Sequence, residues 1–293
     1  MDSALTTVGL PIALAIIMFG LGLDLTLADF RRIGRNPKAV AVALVCQVLV
    51  LPAICFGLVL AFDLDPLLAI GMLLLAASPG GTTANLFSHL FRGDVALNIS
   101  LTAINSLLAL VTLPLITNAA IDYFDQGDSV SLPFGEVVQV FAIVLVPVGI
   151  GMAVRATRPA FAERMDRPVR IGSAVILALL VLGILVDQRD SVTDYLAEVG
   201  LVAALFCAIS LVLGYVVPRA LGVRDDQAIA SSMEIGVHNG TLAIFVAVEV
   251  LDSTEISVPA AVYSIVMFVL ATLWGLVLTR WLARRAPAPA SQA

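Results

Sequence analysis

The sequence predicts an all-α protein that crosses a membrane many times. Of its 293 residues, 60% are hydrophobic and only 13% are charged, and the mean hydropathy is +1.04. Such values are typical of polytopic helical membrane proteins and exclude an ordinary soluble domain. In addition, nearly all charges lie in short connectors between apolar runs. We therefore expect a lipid bilayer around the protein and no nucleic-acid partner.

Nine apolar windows are long enough to cross the hydrocarbon, which takes about 20 helical residues. They are 4–23, 39–61, 66–88, 95–118, 134–154, 169–187, 199–217, 226–250 and 258–279. The first window lacks a basic leader and a small-residue cleavage site, so we expect a retained helix there rather than a signal peptide. The connectors are too short for a soluble domain, so residues 1–293 are expected to form one transmembrane unit. The tail 286–293 is expected to be disordered.

The connectors alternate in charge. Arg and Lys residues follow the first, third, fifth, seventh and ninth windows, whereas the other connectors are acidic. Of the 16 Lys and Arg residues, Arg189 alone falls on the acidic side. Since basic connectors stay in the cytoplasm, we expect the N-terminus outside, the C-terminus in the cytoplasm, and a multi-pass protein of the plasma (inner) membrane.

Two segments match weakly at an offset of 159 residues. AIGMLLLAASPGGTTA begins at Ala69, and AIASSMEIGVHNGTLA begins at Ala228. The predicted topology runs them in opposite directions, so windows two to four and seven to nine are expected to be inverted repeats. Both contain helix-weakening residues, SPGGTT at 78–83 and EIGVHNGT at 234–241. Since irregular backbone at this depth lines a cavity or is buried in protein, we predict two broken helices beside a binding site.

Glu234 lies inside the eighth window. A carboxylate at that depth is costly, and such residues mark an ion or substrate pathway. Polar residues in the apolar windows offer it partners: His238, the pair Asn98 and Thr102, Asn85, and Gln47. One carboxylate among neutral oxygens suits a hard cation, and a Na⁺ site fits this set.

Other interpretations of the same residues stay open. A proton relay through Glu234 and His238 competes with the Na⁺ site. Gln47, Asn98 and Thr102 are each also explained as hydrogen-bonding links between helices. His238 alone is equally consistent with a core histidine whose hydrogen bonds are satisfied.

At these residues the chain resembles the bile acid:sodium symporter family, in its nine-helix, prokaryotic type. The resemblance is strongest at IIMFGLGLDLTLADFRRIGRNPKAV, CQVLVLP, SPGGTTANLFSHLFRGDVALNISLT and EIGVHNGTLA. It implies a core domain, 39–118 and 199–279, in which the two broken helices cross, and a panel domain, 4–23 and 134–187. It also implies that substrate binds between these domains and that their relative motion gives alternating access.

The resemblance further implies two sodium sites that share Glu234. One would use Ala84, Asn85, Asn98 and Thr102, and the other Gln47, His238 and the backbone of Ile235 and Val237. Three positions depart from the family. Ala84 lacks a hydroxyl, Asn98 keeps an oxygen ligand, and His238 replaces a glutamine. Because imidazole is a poor Na⁺ ligand and titrates near neutrality, both one and two Na⁺ ions, and partial proton coupling, stay open.

These features predict a Na⁺-coupled secondary transporter (a symporter) that imports a small organic anion. The expected substrate contacts are at the broken-helix ends, at Thr82, Thr83, Asn239 and Gly240. A proton-coupled or efflux carrier of related fold is the alternative. An enzyme is not expected, because the chain has no HExxH or GxSxG motif and no Cys–His pair at these positions. No covalent cofactor is expected, and the sequence predicts no oligomeric state.

Overall fold

The structure is a computed structural model that describes residues 10–32, 34, 36–124, 126, 134–187 and 192–285. Every regular element in these ranges is a helix, so the prediction of an all-helical protein is confirmed for them. The α-helices are α1 (Leu10–Asp24), α2 (Leu27–Arg32), α3 (Pro37–Val45), α4 (Leu51–Ala61), α5 (Pro66–Ala77), α6 (Thr82–Leu90), α7 (Val95–Tyr123), α8 (Phe134–Thr157), α9 (Pro159–Asp187), α10 (Val192–Ala220), α11 (Asp225–Gly236), α12 (Gly240–Phe245) and α13 (Thr254–Arg285). Two π-helical segments, Cys46–Val50 and Val246–Val250, follow α3 and α12.

Four helical stretches in the described part are long and apolar enough to cross a membrane. They are Pro37–Ala61, Val95–Tyr123, Ala197–Ala220 and Thr254–Arg284. Shorter apolar helices accompany them at Leu14–Asp24, Pro66–Ala77, Leu145–Thr157 and Gly240–Val250. The chain is therefore a multi-pass membrane protein, while the count of nine spans stays a prediction.

The third and eighth predicted windows are each divided between two helices. α5 ends at Ala77 and α6 begins at Thr82, while α11 ends at Gly236 and α12 begins at Gly240. The first gap contains Pro79, whose ring cannot continue a helix. After the second gap, the Asn239 side chain accepts a hydrogen bond from the Leu242 backbone N–H at 3.1 Å, which caps the start of α12.

Several boundaries differ from the sequence-based windows. α9 begins at Pro159 rather than at 169, because proline is well tolerated in the first turn of a helix. The short helix α2 and the two π-helical segments were not predicted. Residues 4–9 of the first window, and the tail 286–293, lie outside the described residues.

The helices pack in two groups. In one, α1 packs against α8 and α9. At the α1–α8 contact a Cβ added to Gly151 would lie 2.5 Å from the Phe19 carbonyl oxygen, so the two backbones touch there. In the other, α5 packs against α7 and α13, and α10 packs against α11 and α13. The two helix breaks lie in this second group.

Candidate cation site at two helix breaks

The two helix breaks pair with each other through their backbones. The Asn239 N–H donates to the Pro79 carbonyl at 2.8 Å, and the Gly81 N–H donates to the Val237 carbonyl at 3.0 Å. Between these two bonds, Gly80 and His238 form an antiparallel bridge. Because the breaks satisfy part of each other's freed backbone, non-helical chain is tolerated in the protein interior.

Glu234 lies on the last turn of α11, directly beside this pairing, and its exposed fraction is 0%. The Thr102 hydroxyl donates to its Oε2 at 2.5 Å, and the Asn105 amide Nδ2 donates to its Oε1 at 3.0 Å. A Cβ added to Gly80 would lie 2.5 Å from Oε1 and closer still to Oε2. Glycine at this position therefore gives the carboxylate its space.

α7 and α11 lie side by side in parallel, and three hydrogen bonds join them at one constant offset. They connect residues that are 132 positions apart: Asp94 N–H with Asp226 carbonyl at 2.8 Å, Asn98 Nδ2 with Ala230 carbonyl at 2.8 Å, and Thr102 with Glu234. Successive contacts on α7 are one helical turn apart, so a single face of α7 is aligned with α11. This ladder brings the predicted residues Asn98, Thr102 and Glu234 together.

Gln47 and His238 meet at a second point. The Gln47 Nε2 lies 3.1 Å from the Ser78 carbonyl oxygen, and the His238 Nδ1 lies 3.2 Å from the same oxygen. Since a carbonyl only accepts, Nδ1 carries the proton and Nε2 presents a lone pair. Phe206 stacks on the imidazole with ring centroids 5.6 Å apart, which fixes its plane. Gln47 itself lies in a π-helical segment, a feature frequent at functional sites.

The other predicted cation ligands lie nearby on the same helices. Ala84 and Asn85 are buried on α6, which packs against both α7 and α11. No hydrogen bond within the described residues links Asn85 to the other candidates. Ile235 is buried within α11, and the Val237 carbonyl already accepts the Gly81 N–H.

The predicted substrate contacts have distinct surroundings. Thr82 begins α6, and its side chain is outside the described part of the structure. Thr83 is half-buried. Asn239 caps α12 with its side-chain oxygen, and Gly240 lies tightly against the Ser264 side chain. Contact between these four residues and a substrate stays a prediction.

Sequence reasoning missed two groups at this site, Asn105 and the Ser78 carbonyl. Asn105 had a usable signal, because Asn98, Thr102 and Asn105 follow the spacing of one helix face. The Ser78 carbonyl had none, since a backbone acceptor depends on where the helix breaks rather than on the residue type.

The site offers oxygen lone pairs without protein partners. Five buried side-chain atoms of these residues, four oxygens and one imidazole nitrogen, accept no hydrogen bond from any described residue: Gln47 Oε1, Asn85 Oδ1, Asn98 Oδ1, Asn105 Oδ1 and His238 Nε2. Buried polar atoms nearly always have a partner. The described residues also contain no cluster of three or more His, Cys, Asp or Glu side chains. One carboxylate with neutral oxygens is a donor set for a hard cation rather than a transition metal.

Comparison with known proteins gives a consistent result. The profile of the Sodium Bile acid symporter family matches residues 11–195. The chain is 26% identical over 267 residues to the probable sodium/metabolite cotransporter BASS2, chloroplastic, of Oryza sativa subsp. japonica, covering 91% of this chain and 62% of that protein. It is 27% identical over 270 residues to the probable sodium/metabolite cotransporter BASS1, chloroplastic, of Arabidopsis thaliana, covering 90% and 66%. The chain thus spans less than two thirds of these two relatives.

A human relative is also similar. The ileal sodium/bile acid cotransporter of Homo sapiens is 28% identical over 235 residues, which cover 80% of this chain and 67% of that protein.

Proposed function

The chain belongs to the sodium bile acid symporter family, and on that premise we propose that it is a Na⁺-coupled secondary transporter that imports an organic anion by alternating access. Members of the family are sodium-coupled transporters, not enzymes. For this chain, the proposal covers the coupling ion, the direction of transport, the class of substrate and the residues that bind them.

The observation that carries the proposal is the fully buried carboxylate of Glu234 between two paired helix breaks. An ionised carboxylate is very costly to bury without a compensating charge. Its hydrogen-bond donors, the Thr102 hydroxyl, the Asn105 amide and the Gly80 backbone N–H, are all neutral. A bound cation supplies the missing positive charge, and the unpartnered oxygens of Asn85 and Asn98 complete its surroundings.

We assign a first Na⁺ to Glu234, Asn85, Asn98 and Thr102, with the backbone of Ala84. A second position lies by Gln47, His238 and the backbone of Ile235 and Val237. At this second position an imidazole nitrogen stands among the donors, and hard cations prefer oxygen. The first position is therefore the stronger Na⁺ site.

Equivalent helix boundaries support the assignment of inverted repeats. The starts of α5 and α11, the starts of α7 and α13, and the ends of α4 and α10 are each 159 residues apart, the offset of the sequence match. Asp63 and Gly222, also 159 apart, both have positive φ. Such agreement across helices and turns is expected of two copies of one structural unit.

The packing also supports a division of the helices into two bodies. α1, α8 and α9 pack on one another, whereas both helix breaks belong to the other group of helices. We assign the first group to the panel and the second to the core, with substrate bound between them near Thr82, Thr83, Asn239 and Gly240. Na⁺ then drives the cycle by binding one arrangement of the two bodies more tightly than the other.

Uptake into proteoliposomes tests the coupling. Uptake of an organic anion is measured with external Na⁺ and with Na⁺ replaced by K⁺ or choline, at several pH values. Glu234→Gln is expected to abolish the Na⁺ dependence, whereas the control Glu249→Gln, a half-buried carboxylate at the far end of the same predicted window, keeps it. Full Na⁺ dependence in Glu234→Gln would overturn the ion site. Undiminished wild-type uptake without Na⁺ would favour the proton-coupled or efflux alternative.

The substrate class is tested by thermal stability. Purified protein is screened with small carboxylates and amphipathic organic anions, in Na⁺ and in K⁺. Since a ligand that binds the folded state raises its stability, a substrate is expected to raise the melting temperature more in Na⁺ than in K⁺. Stabilisation by organic cations alone would contradict the proposed substrate class.

A further inference from the structure

We propose that Asn105 is an additional residue of the cation site, whose amide nitrogen holds Glu234 and whose amide oxygen ligates the Na⁺. The inference rests on the proposed Na⁺ coupling and deepens it. Neither the composition of the sequence nor the resemblance to the family identified this residue, and the geometry of α7 and α11 does.

The contact with Glu234 fixes the orientation of the amide. The Asn105 Nδ2 donates to Oε1 at 3.0 Å, and the residue is buried, with 3% exposure. An ionised carboxylate oxygen can only accept, so with Glu234 charged the nitrogen faces it and the amide oxygen takes the other position of the amide. That oxygen, Oδ1, has no hydrogen-bond partner among the described residues. One amide therefore binds the anionic ligand and presents a free lone pair beside it.

Asn98 shows the same asymmetry two helical turns earlier. Its Nδ2 donates to the Ala230 carbonyl, again an obligate acceptor, and its Oδ1 is again buried without a described partner. If these amides only linked helices, two unpaired buried oxygens on one face of α7 would lower the stability of the fold without any gain. Two amide oxygens on the face that carries Thr102 are instead suited to a shared cation.

Asn105 also lies where the helix ladder stops. The constant offset of 132 that joins α7 to α11 would pair Asn105 with Val237, but α11 has already ended at Gly236. No α11 side chain stands opposite Asn105 in register. Because side chains on a helix tilt toward its N-terminus, the Asn105 amide reaches back to the level of Glu234. The amide of Asn105 therefore lies at the level of the carboxylate and beside the break.

The test is the apparent affinity for Na⁺ of the full chain, measured as a Na⁺-dependent rise in melting temperature against K⁺ at constant ionic strength. Asn105→Leu removes both the amide nitrogen and the amide oxygen, and Asn105→Ser replaces them with one hydroxyl. The matched control is Thr117→Val, which removes another buried, unpartnered polar atom from α7, away from Glu234. We expect Asn105→Leu to weaken Na⁺ binding about tenfold or more, Asn105→Ser to weaken it less, and the control to leave it unchanged.

A ligand role is separated from a structural one by ion selectivity. Direct ligation predicts that Asn105→Ser also changes the ratio of Li⁺ to Na⁺ affinity, whereas a purely structural residue leaves the ratio as in wild type. Wild-type Na⁺ affinity in Asn105→Ser would overturn the inference even if Asn105→Leu does not fold. An unchanged Li⁺ to Na⁺ ratio would overturn the ligand role. Absence of any Na⁺-specific shift in wild type would overturn the proposed coupling itself, a result distinct from failure at Asn105.

Discussion

Replacement of Gly80 by alanine tests whether the Glu234 carboxylate must lie against the paired helix breaks. The added Cβ would lie 2.5 Å from Oε1, whereas ordinary contact begins at 3.4 Å. The carboxylate therefore has to retreat by at least about 0.9 Å, and it can do so because it ends a flexible side chain. The fold absorbs the change, but the retreat exceeds the roughly 0.5 Å within which a binding site must be held.

The magnitude follows from the hydrogen bonds of the carboxylate. A displacement of this size breaks or weakens one bond to a charged group, either the 2.5 Å bond from Thr102 or the 3.0 Å bond from Asn105. Such a bond contributes about 1.5–3 kcal/mol. At about 1.4 kcal/mol for each factor of ten, Na⁺ binding weakens roughly tenfold to one hundredfold.

The neighbouring glycine provides the control. A Cβ added to Gly81 meets its nearest atom, the Thr83 hydroxyl oxygen, at 3.4 Å, which is ordinary contact. The assay is Na⁺ titration of substrate uptake in proteoliposomes, with the melting temperature in K⁺ as the check on folding. Gly80→Ala is expected to shift the Na⁺ titration and Gly81→Ala is not. Equal Na⁺ affinities in the two variants would refute the steric reasoning.

Two further substitutions address the proposed ligands Thr102 and His238. Thr102→Val leaves Oε2 without its hydroxyl donor, so we expect a loss of about 1–3 kcal/mol in stability and weaker Na⁺ binding, measured by melting in K⁺ and by Na⁺ titration. The control is Thr112→Val on the same helix, because the half-buried Thr112 hydroxyl bonds only to the Leu108 carbonyl, and it should change neither quantity. Equal behaviour of the two variants would count against the ladder. His238→Gln replaces an imidazole nitrogen with an amide oxygen beside Ser78, which favours a second hard cation. We therefore expect the uptake rate to depend more steeply on Na⁺ concentration. An unchanged Hill coefficient would argue that residue 238 does not control the number of bound ions.

The helix breaks were predictable because their causes are local. Pro79 and the glycines beside it weaken a helix wherever they occur, and α5 does end two residues before Pro79. The start of α5 at Pro66 also agrees with the predicted window. The two π-helical segments had no comparable signal, because a widened turn depends on how the helix packs.

The residues of the candidate site were likewise predictable only where the signal is local. The types of residue that a cation needs were visible, since Glu234, Asn98 and Thr102 are conspicuous in apolar surroundings. Their contacts were not, because Ser78 contributes only its backbone carbonyl and the hydrogen bond from Asn105 to Glu234 joins residues 129 positions apart. Residue type is thus readable from the sequence, whereas the pairing of distant helices is set by tertiary packing.

The pairing of the two breaks has a consequence for how this protein can diverge. Its hydrogen bonds join the residues that flank Gly80 and His238, so these two central residues do not bond to each other and their own peptide groups point outward. The His238 carbonyl is engaged by the Gly240 N–H. Every one of these bonds is made by main-chain atoms, which any residue at position 238 would keep. Evolution can therefore exchange the side chain at 238, and with it the proposed chemistry of ion coupling, without rebuilding the backbone pairing that joins the two helix breaks.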